Sequence, residues 1–454
     1  MYTQKKTNTS GSLAVLGGDK EVTAEQADMF TWPIVTPEHE QAVLEVLRAG
    51  NMSGLDKTRE FEKQFAKWHG VDYALACPNG TSAILESMYA LGIGSGDEVI
   101  CPTITFWASI IQAFLLRATP VFADIDPETL NIDPADIERK ITPRTKAIVV
   151  VHYAGIPADM DSIMAIAKKH GLKVLEDCSH AHGALYNGKM AGTFGDVAAF
   201  SLMTGKAFAI GEGGILITND SEIYQRSLLW GHYVRHNEIT SSHLKKYAGL
   251  PCGGAKNRMH QLTSAFGLVQ LKMFSKQMQE IDKAMNYFCE QLEDLPGIST
   301  MRKVPYGSIT KGGWYYPHFK YDKDQLGGVS LKRFSAALEA EGTVCNPGCN
   351  KPLHLHPLFT EMDVFNEGRP TKIANHPEPD SVEMVQSLPA AESIVKQVFE
   401  VPWFKHFRKD IIDQHVNAYR KVVENIDLLA DGDNDSQTEY GGYSSFFKSN
   451  ANSK

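Results

Sequence analysis

The sequence has no long apolar run and no excess of positive charge. None of its apolar stretches reaches the length that spans a bilayer, and Met1–Gly11 lacks the apolar core of a signal peptide. The formal net charge is −9, whereas nucleic acids and anionic membranes attract clustered lysine and arginine. We therefore expect a cytoplasmic protein without a nucleic-acid or membrane partner.

Cysteine is also scarce. The seven cysteines are an odd number and are scattered from Cys77 to Cys349, which favours a reducing compartment with free thiols over a disulfide framework. Cys345 and Cys349 lie near His354 and His356, but the Cys-x3-Cys and His-x-His spacings are not those of a usual zinc site. We predict no metal site.

What the chain does contain is a long alternation of short apolar runs and helical patterns between residues 73 and 218. This alternation predicts an α/β fold, in which a mostly parallel central sheet is flanked by helices on both faces. An extended segment at Trp314–Lys320 and later helical patterns predict a smaller α+β C-terminal domain. The predicted units are an N-terminal arm at 1–30, a large domain at 31–290, the small domain at 291–430 and a disordered tail at 431–454.

Two residues of the large domain point to chemistry. Asp177 closes an apolar run that starts at Leu172, and Lys206 follows in a loop of small and apolar residues that leads into Gly211–Gly214. Such neighbours predict a poorly hydrated, nucleophilic amine. A carboxylate at a strand end and a lysine on a following loop suit pyridoxal 5′-phosphate (PLP). The lysine would form a Schiff base with its aldehyde, and the carboxylate would keep its pyridine nitrogen protonated.

Three further segments each allow a functional and a structural interpretation. Pro78–Ser82, between a strand and a helix, could bind a phosphate through backbone N–H groups, or could be an ordinary helix cap. Phe106 and Trp107 could stack on a cofactor ring, or could fill the core. His180 could lie over the ring or near its 3-hydroxyl, or could be a buried histidine bonded to the backbone.

Taken together, these blocks resemble the DegT/StrS-type aminotransferases, PLP enzymes of fold type I that act on keto sugars and keto cyclitols. The resemblance extends over roughly residues 12 to 429. The matching blocks are Trp32-Pro33, Asn79–Thr81, Gly96–Pro102, Thr105-Phe106, Asp124–Asp126, Gly155–Asp161, Glu176-Asp177, Phe200-Ser201, Lys206, Gly211–Gly214 and Leu388–Glu392.

The resemblance assigns a role to each matching position. It implies that Lys206 is the Schiff-base lysine and that Asp177 pairs with the pyridine nitrogen. The remaining cofactor contacts that it implies are Gly80, Thr81 and Ser201 at the phosphate, and Phe106 and His180 against the ring.

The resemblance also implies a homodimer with shared active sites. Family members usually place an asparagine from the second subunit on the cofactor phosphate. The corresponding block here is Gly254–Met259, where Lys256 occupies the usual asparagine position and Asn257 follows it. Asn257 and Lys256 are therefore both candidates for this cofactor contact.

The reaction that the resemblance implies is a transamination in two half-reactions. L-glutamate or L-glutamine would donate the amino group, and a small-molecule keto sugar or keto cyclitol would accept it. One alternative is a regulatory or binding protein that keeps the fold without turnover. Another is a sugar dehydratase that uses pyridoxamine phosphate, but such members carry histidine in place of Lys206.

A nicotinamide-dependent oxidoreductase is a third alternative. It would carry Gly-x-Gly-x-x-Gly directly after a strand, whereas Gly92–Gly96 follows a helix. The acceptor stays open at this point, because a nucleotide-linked sugar needs basic groups for its diphosphate and a free cyclitol does not. The basic candidates are Arg235, His236, Lys256 and Arg258.

Overall fold

The computed structural model describes residues 12–301, 303–382, 386–430 and 433. Residues 1–11 of the predicted arm, and all of the predicted tail except Asp433, lie outside this part of the chain. None of the described helices combines the length and apolar character that crossing a bilayer requires. The α-helices are α1 (Ala27–Phe30), α2 (Pro37–Arg48), α3 (Asp56–His69), α4 (Gly80–Ala90), α5 (Gln112–Leu115), α6 (Pro134–Lys140), α7 (Met160–His170), α8 (Ser221–Gly231), α9 (Ser242–Lys245), α10 (Gln261–Glu290), α11 (Leu331–Ala340), α12 (Pro357–Thr360), α13 (Thr371–Ala374), α14 (Pro389–Ile394) and α15 (Lys409–Glu424).

A seven-stranded sheet forms the centre of the molecule and confirms the predicted fold class. Its strand order is β1-β9-β8-β5-β4-β2-β3, and all pairs are parallel except those made by β9, which runs against both neighbours. The strands are nearly continuous runs of buried residues because helices cover both faces. The bounds are β1 (Tyr73–Cys77), β2 (Glu98–Pro102), β3 (Thr119–Ala123), β4 (Thr145–Val151), β5 (Lys173–Asp177), β8 (Val197–Ser201) and β9 (Gly214–Thr218).

Strand register brings the ends of several strands to one edge of this sheet. Gly214, where β9 begins, pairs with Cys77 at the end of β1 and with Ser201 at the end of β8. Asp177, the last residue of β5, pairs with Val151 on one side and Ala199 on the other. Loops that leave this edge therefore start close together, which is where ligands bind in open α/β sheets.

A second sheet of four strands, in the order β10-β12-β14-β13, lies in the C-terminal part of the chain. Its strands pack with α11, α15 and the end of α10 around aromatic side chains such as Phe288, Phe319 and Phe399. A third, small sheet has the order β11-β6-β7. The bounds are β6 (Leu185–Tyr186), β7 (Lys189–Met190), β10 (Ile298–Ser299), β11 (Ile309–Thr310), β12 (His318–Tyr321), β13 (Asn346–Pro347) and β14 (Val398–Glu400).

The predicted extended segment at Trp314–Lys320 is wrong in its first half. Trp314 and Tyr316 have positive φ angles of 53° and 56°, and the strand starts only at His318. At this point the chain passes close to the loop after β5, since a Cβ on Gly312 would overlap the carbonyl oxygen of His182. Left-handed backbone of this kind is uncommon outside glycine and is often found at functional sites.

Candidate active site

A cleft of about 440 Å³ opens at the edge of the large sheet where Asp177 ends its strand. It collects residues from the strand ends, from the start of α4 and from the turning segment near Tyr316. The lining residues that bear on chemistry are Asn79, Gly80, Thr81, Thr105, Phe106, Ser109, Asp177, Ser179, His180, Ser201, Met203, Lys206, Glu212, Tyr315, Tyr316 and Asn350. Asp177 and Lys206, separated by 29 residues in the sequence, thus meet in one cavity.

The Asp177 carboxylate is almost fully buried and is held by donors on both oxygens. The hydroxyl of Ser109 donates to Oδ2 at 2.7 Å, and the backbone N–H of Ser179 donates to Oδ1 at 3.0 Å. The hydroxyl of Thr105 lies 2.8 Å from that of Ser109. These contacts hold the carboxylate in one orientation at the wall of the cleft, as a partner for a pyridine nitrogen must be held.

Lys206 lies in the loop after β8, and its backbone is fixed on both sides. Its N–H donates to the carbonyl of Met203 at 2.8 Å, and its carbonyl accepts from the indole Nε1 of Trp32 at 2.8 Å. The residue is only 9% exposed, and its Nζ lies 4.4 Å from the ring centroid of Tyr315. The amine is therefore presented to the cleft by a rigid loop against an aromatic face.

The first turn of α4 has the properties of a phosphate site. Asn79 caps the helix by accepting the N–H of Ser82 at 2.8 Å. The amides of Gly80 and Thr81, at the first two helical positions, have no intrahelical acceptor and remain for a ligand. Ser201 lies against this turn: a Cβ added to Gly80 would be 2.6 Å from the Cβ of Ser201. Backbone amides, a nearby hydroxyl and the helix dipole fit a phosphate dianion.

His180 is buried in the cleft wall as a neutral imidazole. Burial, assisted by the nearby Lys206 charge, holds its pKa well below the usual value. Its Nδ1 accepts a long hydrogen bond of 3.4 Å from the N–H of Ala154, so the ring proton is on Nε2. The ring lies 4.6 Å from that of Tyr315. A flat, uncharged surface with one N–H donor suits a position beside a cofactor ring.

Of the two predicted aromatic candidates, Phe106 lines the cleft and Trp107 does not. Trp107 packs instead against the hydrophobic core, so its role is the structural one of the two that the sequence allowed. Sequence reasoning missed Tyr315, Tyr316 and Asn350, which also line the cleft. They come from the C-terminal third of the chain, and no sequence pattern there indicates a binding residue.

Asn257 is not part of the cleft wall of its own chain. Its Nδ2 donates at 2.8 Å to Oε1 of the buried Glu86, which His232 also contacts at 3.1 Å. Lys256 beside it is exposed. Whether either residue reaches the site of a second copy therefore stays a prediction.

Arg235, one of the basic candidates for a diphosphate, is occupied elsewhere. It is 3% exposed and forms ion pairs with Glu62 at 2.8 Å and with Glu238 at 2.7 Å. These buried pairs commit its guanidinium to the fold.

Comparison with known proteins identifies the family of the chain. Residues 33–420 match the model of the DegT/DnrJ/EryC1/StrS aminotransferase family. The chain belongs to this family. As a member, it is a PLP-dependent aminotransferase of fold type I, which confirms the resemblance noted from the sequence.

The names of individual relatives of this aminotransferase indicate different functions. It is 32% identical to the spore coat polysaccharide biosynthesis protein SpsC of Bacillus subtilis, over 88% of this chain and 97% of that protein. It is 29% identical to the L-glutamine:scyllo-inosose aminotransferase of Streptomyces griseus, over 91% of this chain and 98% of that enzyme. A solved structure of DesI in the presence of its TDP-sugar product superposes with a TM-score of 0.73 at 27% identity, covering 92% of this chain and 98% of DesI.

The cleft of the aminotransferase fits PLP at each end. The free amides of α4 and the hydroxyl of Ser201 would hold its phosphate, Asp177 would hold its ring nitrogen, and Lys206 would hold its aldehyde carbon. His180 and Phe106 offer flat surfaces for its ring. Bound PLP supplies an electron sink for a carbon that loses a proton.

Proposed function

We propose that this aminotransferase moves an amino group from L-glutamate or L-glutamine to a keto sugar or keto cyclitol. One observation carries the proposal: Asp177, Lys206 and the free amides at the start of α4 line the same cleft. These groups match the three polar ends of PLP. The proposal includes the predicted cytoplasmic location, which rests on the composition alone.

Lys206 is the group that moves protons in this proposal. Asp177 is committed to the ring nitrogen, and the depressed pKa of His180 makes it a poor base. The Lys206 amine, held on its rigid loop, would take the proton from the donor carbon and return one to the acceptor carbon. Its low exposure excludes water, which protects the reacting carbons from side reactions.

We also propose a homodimer with shared active sites. Among the described residues around the phosphate end of the cleft there is no arginine, and Lys206 is the only lysine. A phosphate dianion there would gain from a cation of a second copy. We favour Lys256, because it is exposed while Asn257 is engaged by Glu86. Exposed apolar side chains on α2, among them Leu44 and Leu47, offer a second copy a surface to cover.

The relatives support both acceptor classes. The inosose aminotransferase of Streptomyces griseus, by its name, uses L-glutamine and a keto cyclitol. DesI was solved with a TDP-sugar product. These names support a ring ketone as acceptor and L-glutamine as one of the two candidate donors.

The decisive experiment traps the cofactor and then separates the two half-reactions. Borohydride reduction of the PLP-loaded protein should label the peptide that contains Lys206, and Lys206→Ala should abolish the label and the characteristic absorbance. Lys173→Ala, at a surface lysine paired with Asp196, is the matched control and should behave as wild type. L-glutamate or L-glutamine should then convert the bound cofactor to its amine form in a single turnover, and a ring ketone should reverse the change. Retained labelling in Lys206→Ala, or no response to either donor, would refute the proposal.

A further inference from the structure

Asn350, which lines the cleft just after β13, is fixed in one orientation by Tyr153. The Tyr153 hydroxyl accepts the backbone N–H of Asn350 at 3.2 Å and lies 2.7 Å from its Oδ1. Burial raises the pKa of this phenol well above its ordinary value, so it keeps its proton. That proton needs an acceptor, and among the described residues the side-chain oxygen of Asn350 accepts it.

The amide end of Asn350 is therefore directed away from Tyr153. Among the described residues, its Nδ2 has no hydrogen-bond partner, although Asn350 lies in the cleft wall. A carboxamide nitrogen carries two N–H donors and no acceptor. Asn350 thus offers the cleft a fixed, uncharged donor, which suits an oxygen of a bound molecule.

The surrounding wall is poor in positive charge. Of the described lining residues, Lys206 is the single lysine and none is an arginine, while Glu212 adds a carboxylate. A diphosphate would find no second cation in the wall that one chain provides, and the Lys256 proposed to come from a second copy would already be paired with the cofactor phosphate. The aromatic rings of Phe106, Tyr315 and Tyr316 instead offer apolar faces, as do sites that bind small neutral molecules with a few polar contacts.

We propose that Asn350 recognises a hydroxyl oxygen of the amino acceptor, and that this acceptor is an uncharged, polyhydroxylated ring ketone without a nucleotide diphosphate. Tyr153 is then a positioning residue that acts through Asn350. This inference rests on the proposed transamination. It adds the class of acceptor and the residue that recognises the acceptor.

The test uses the acceptor half-reaction of PLP-loaded enzyme converted to its amine form by the donor. The acceptors are a free keto-inositol, its monodeoxy analogues, and GDP- and TDP-linked keto hexoses. Asn350→Ala should raise the keto-inositol concentration for half-maximal rate roughly three- to tenfold, the effect of losing one neutral hydrogen bond. With the wild-type enzyme, the monodeoxy analogue that lacks the recognised hydroxyl should need a similarly raised concentration. Asn350→Ala should not raise the concentration for this analogue any further.

Two more variants separate recognition from folding. Tyr153→Phe should also raise the keto-inositol concentration for half-maximal rate, because the Asn350 carboxamide is no longer held in one orientation. Asn346→Ala, in the same segment but bonded to Glu400, should match wild type. An equal change of donor and acceptor half-reactions in Asn350→Ala would overturn its role, and preference of wild type for the nucleotide-linked sugars would overturn the substrate class. In both cases a working donor half-reaction would leave the proposed transamination standing. If no donor converts the cofactor of the wild-type enzyme to its amine form, both the proposed transamination and this inference are refuted.

Discussion

The hydroxyl of Ser109 donates a 2.7 Å hydrogen bond to Oδ2 of Asp177. A carboxylate can only accept, so the single proton of Ser109 is committed to it, and Thr105 must donate to Ser109 across their 2.8 Å contact. Such a chain of donors polarises each member. Both hydroxyls therefore act to fix the plane of the group that holds the cofactor nitrogen.

Removal of the Ser109 hydroxyl should change the absorbance of the bound cofactor. Ser109→Ala removes the hydroxyl that fixes the plane of the Asp177 carboxylate, so we expect a changed pH dependence of the cofactor absorbance and a donor half-reaction slowed roughly tenfold, the order of one charge-assisted hydrogen bond. Absorbance of the bound cofactor against pH measures the effect. Ser109→Thr should restore most of the rate, and Ser87→Ala, which removes a buried hydroxyl bonded to Ala83, should not alter the spectrum. An unchanged pH profile in Ser109→Ala would contradict the assignment.

The close contact at the start of α4 should make Gly80 intolerant of a side chain. A Cβ there would lie 2.6 Å from that of Ser201, and overpacking of this kind costs about 1–3 kcal/mol. Gly80→Ala should displace the phosphate cradle and lower the affinity for PLP, as measured by cofactor titration. Gly94→Ala is the control, because nothing lies within 4 Å of a Cβ at that position. Equal PLP affinity in the two variants would show that the cradle does not depend on this contact.

Replacement of Lys256 and replacement of Asn257 should have different effects on stability and on PLP binding. Asn257→Ala removes one of the hydrogen-bond donors of the buried Glu86 carboxylate, and a hydrogen bond to a charged group contributes about 1.5–3 kcal/mol, so the free energy of unfolding should fall. Lys256→Ala should leave stability unchanged but weaken PLP retention in the dimer. Denaturation curves and cofactor titrations of both variants measure this. The reverse pattern would identify Asn257 as the cross-subunit contact.

Acid should destabilise the fold through buried histidines. Burial is the main cause that lowers the pKa of His69 and of His182 to about 3, whereas an unfolded histidine titrates near 6.5. The unfolded chain therefore binds protons first. The stability that the neutral rings contribute is complete above about pH 6.5 and is lost as the pH falls towards 3, by up to about 1.4 kcal/mol per pH unit for each histidine.

Denaturant unfolding between pH 7 and pH 5 checks this pH dependence. His69→Phe keeps a ring of similar shape among Phe65 and Phe200 but cannot titrate, so its stability should fall less steeply than that of wild type. His236→Phe replaces an exposed histidine and should not change the slope. Identical slopes for His69→Phe and wild type would contradict the prediction.

Local signals in the sequence predicted much of the fold and the half of the site that lies on strand ends. Runs of buried apolar residues predicted β4 and β5, and the predicted cap at Asn79 marks the start of α4. Lys206 was predicted by its small and apolar neighbours. Each of these features depends on residues close in sequence, so its pattern can be read without knowing the fold.

The sequence by itself determined the sheet, the family and the residues that fit PLP, because strand burial, helix caps and the cofactor blocks are local. Only the tertiary structure decided that Tyr315 lies beneath the Lys206 amine and that Tyr153 orients Asn350 from 197 residues away. These contacts arise where the C-terminal part of the chain packs against the edge of the large sheet. Their distances depend on the packing of whole elements, which leaves no periodic trace in the residues themselves.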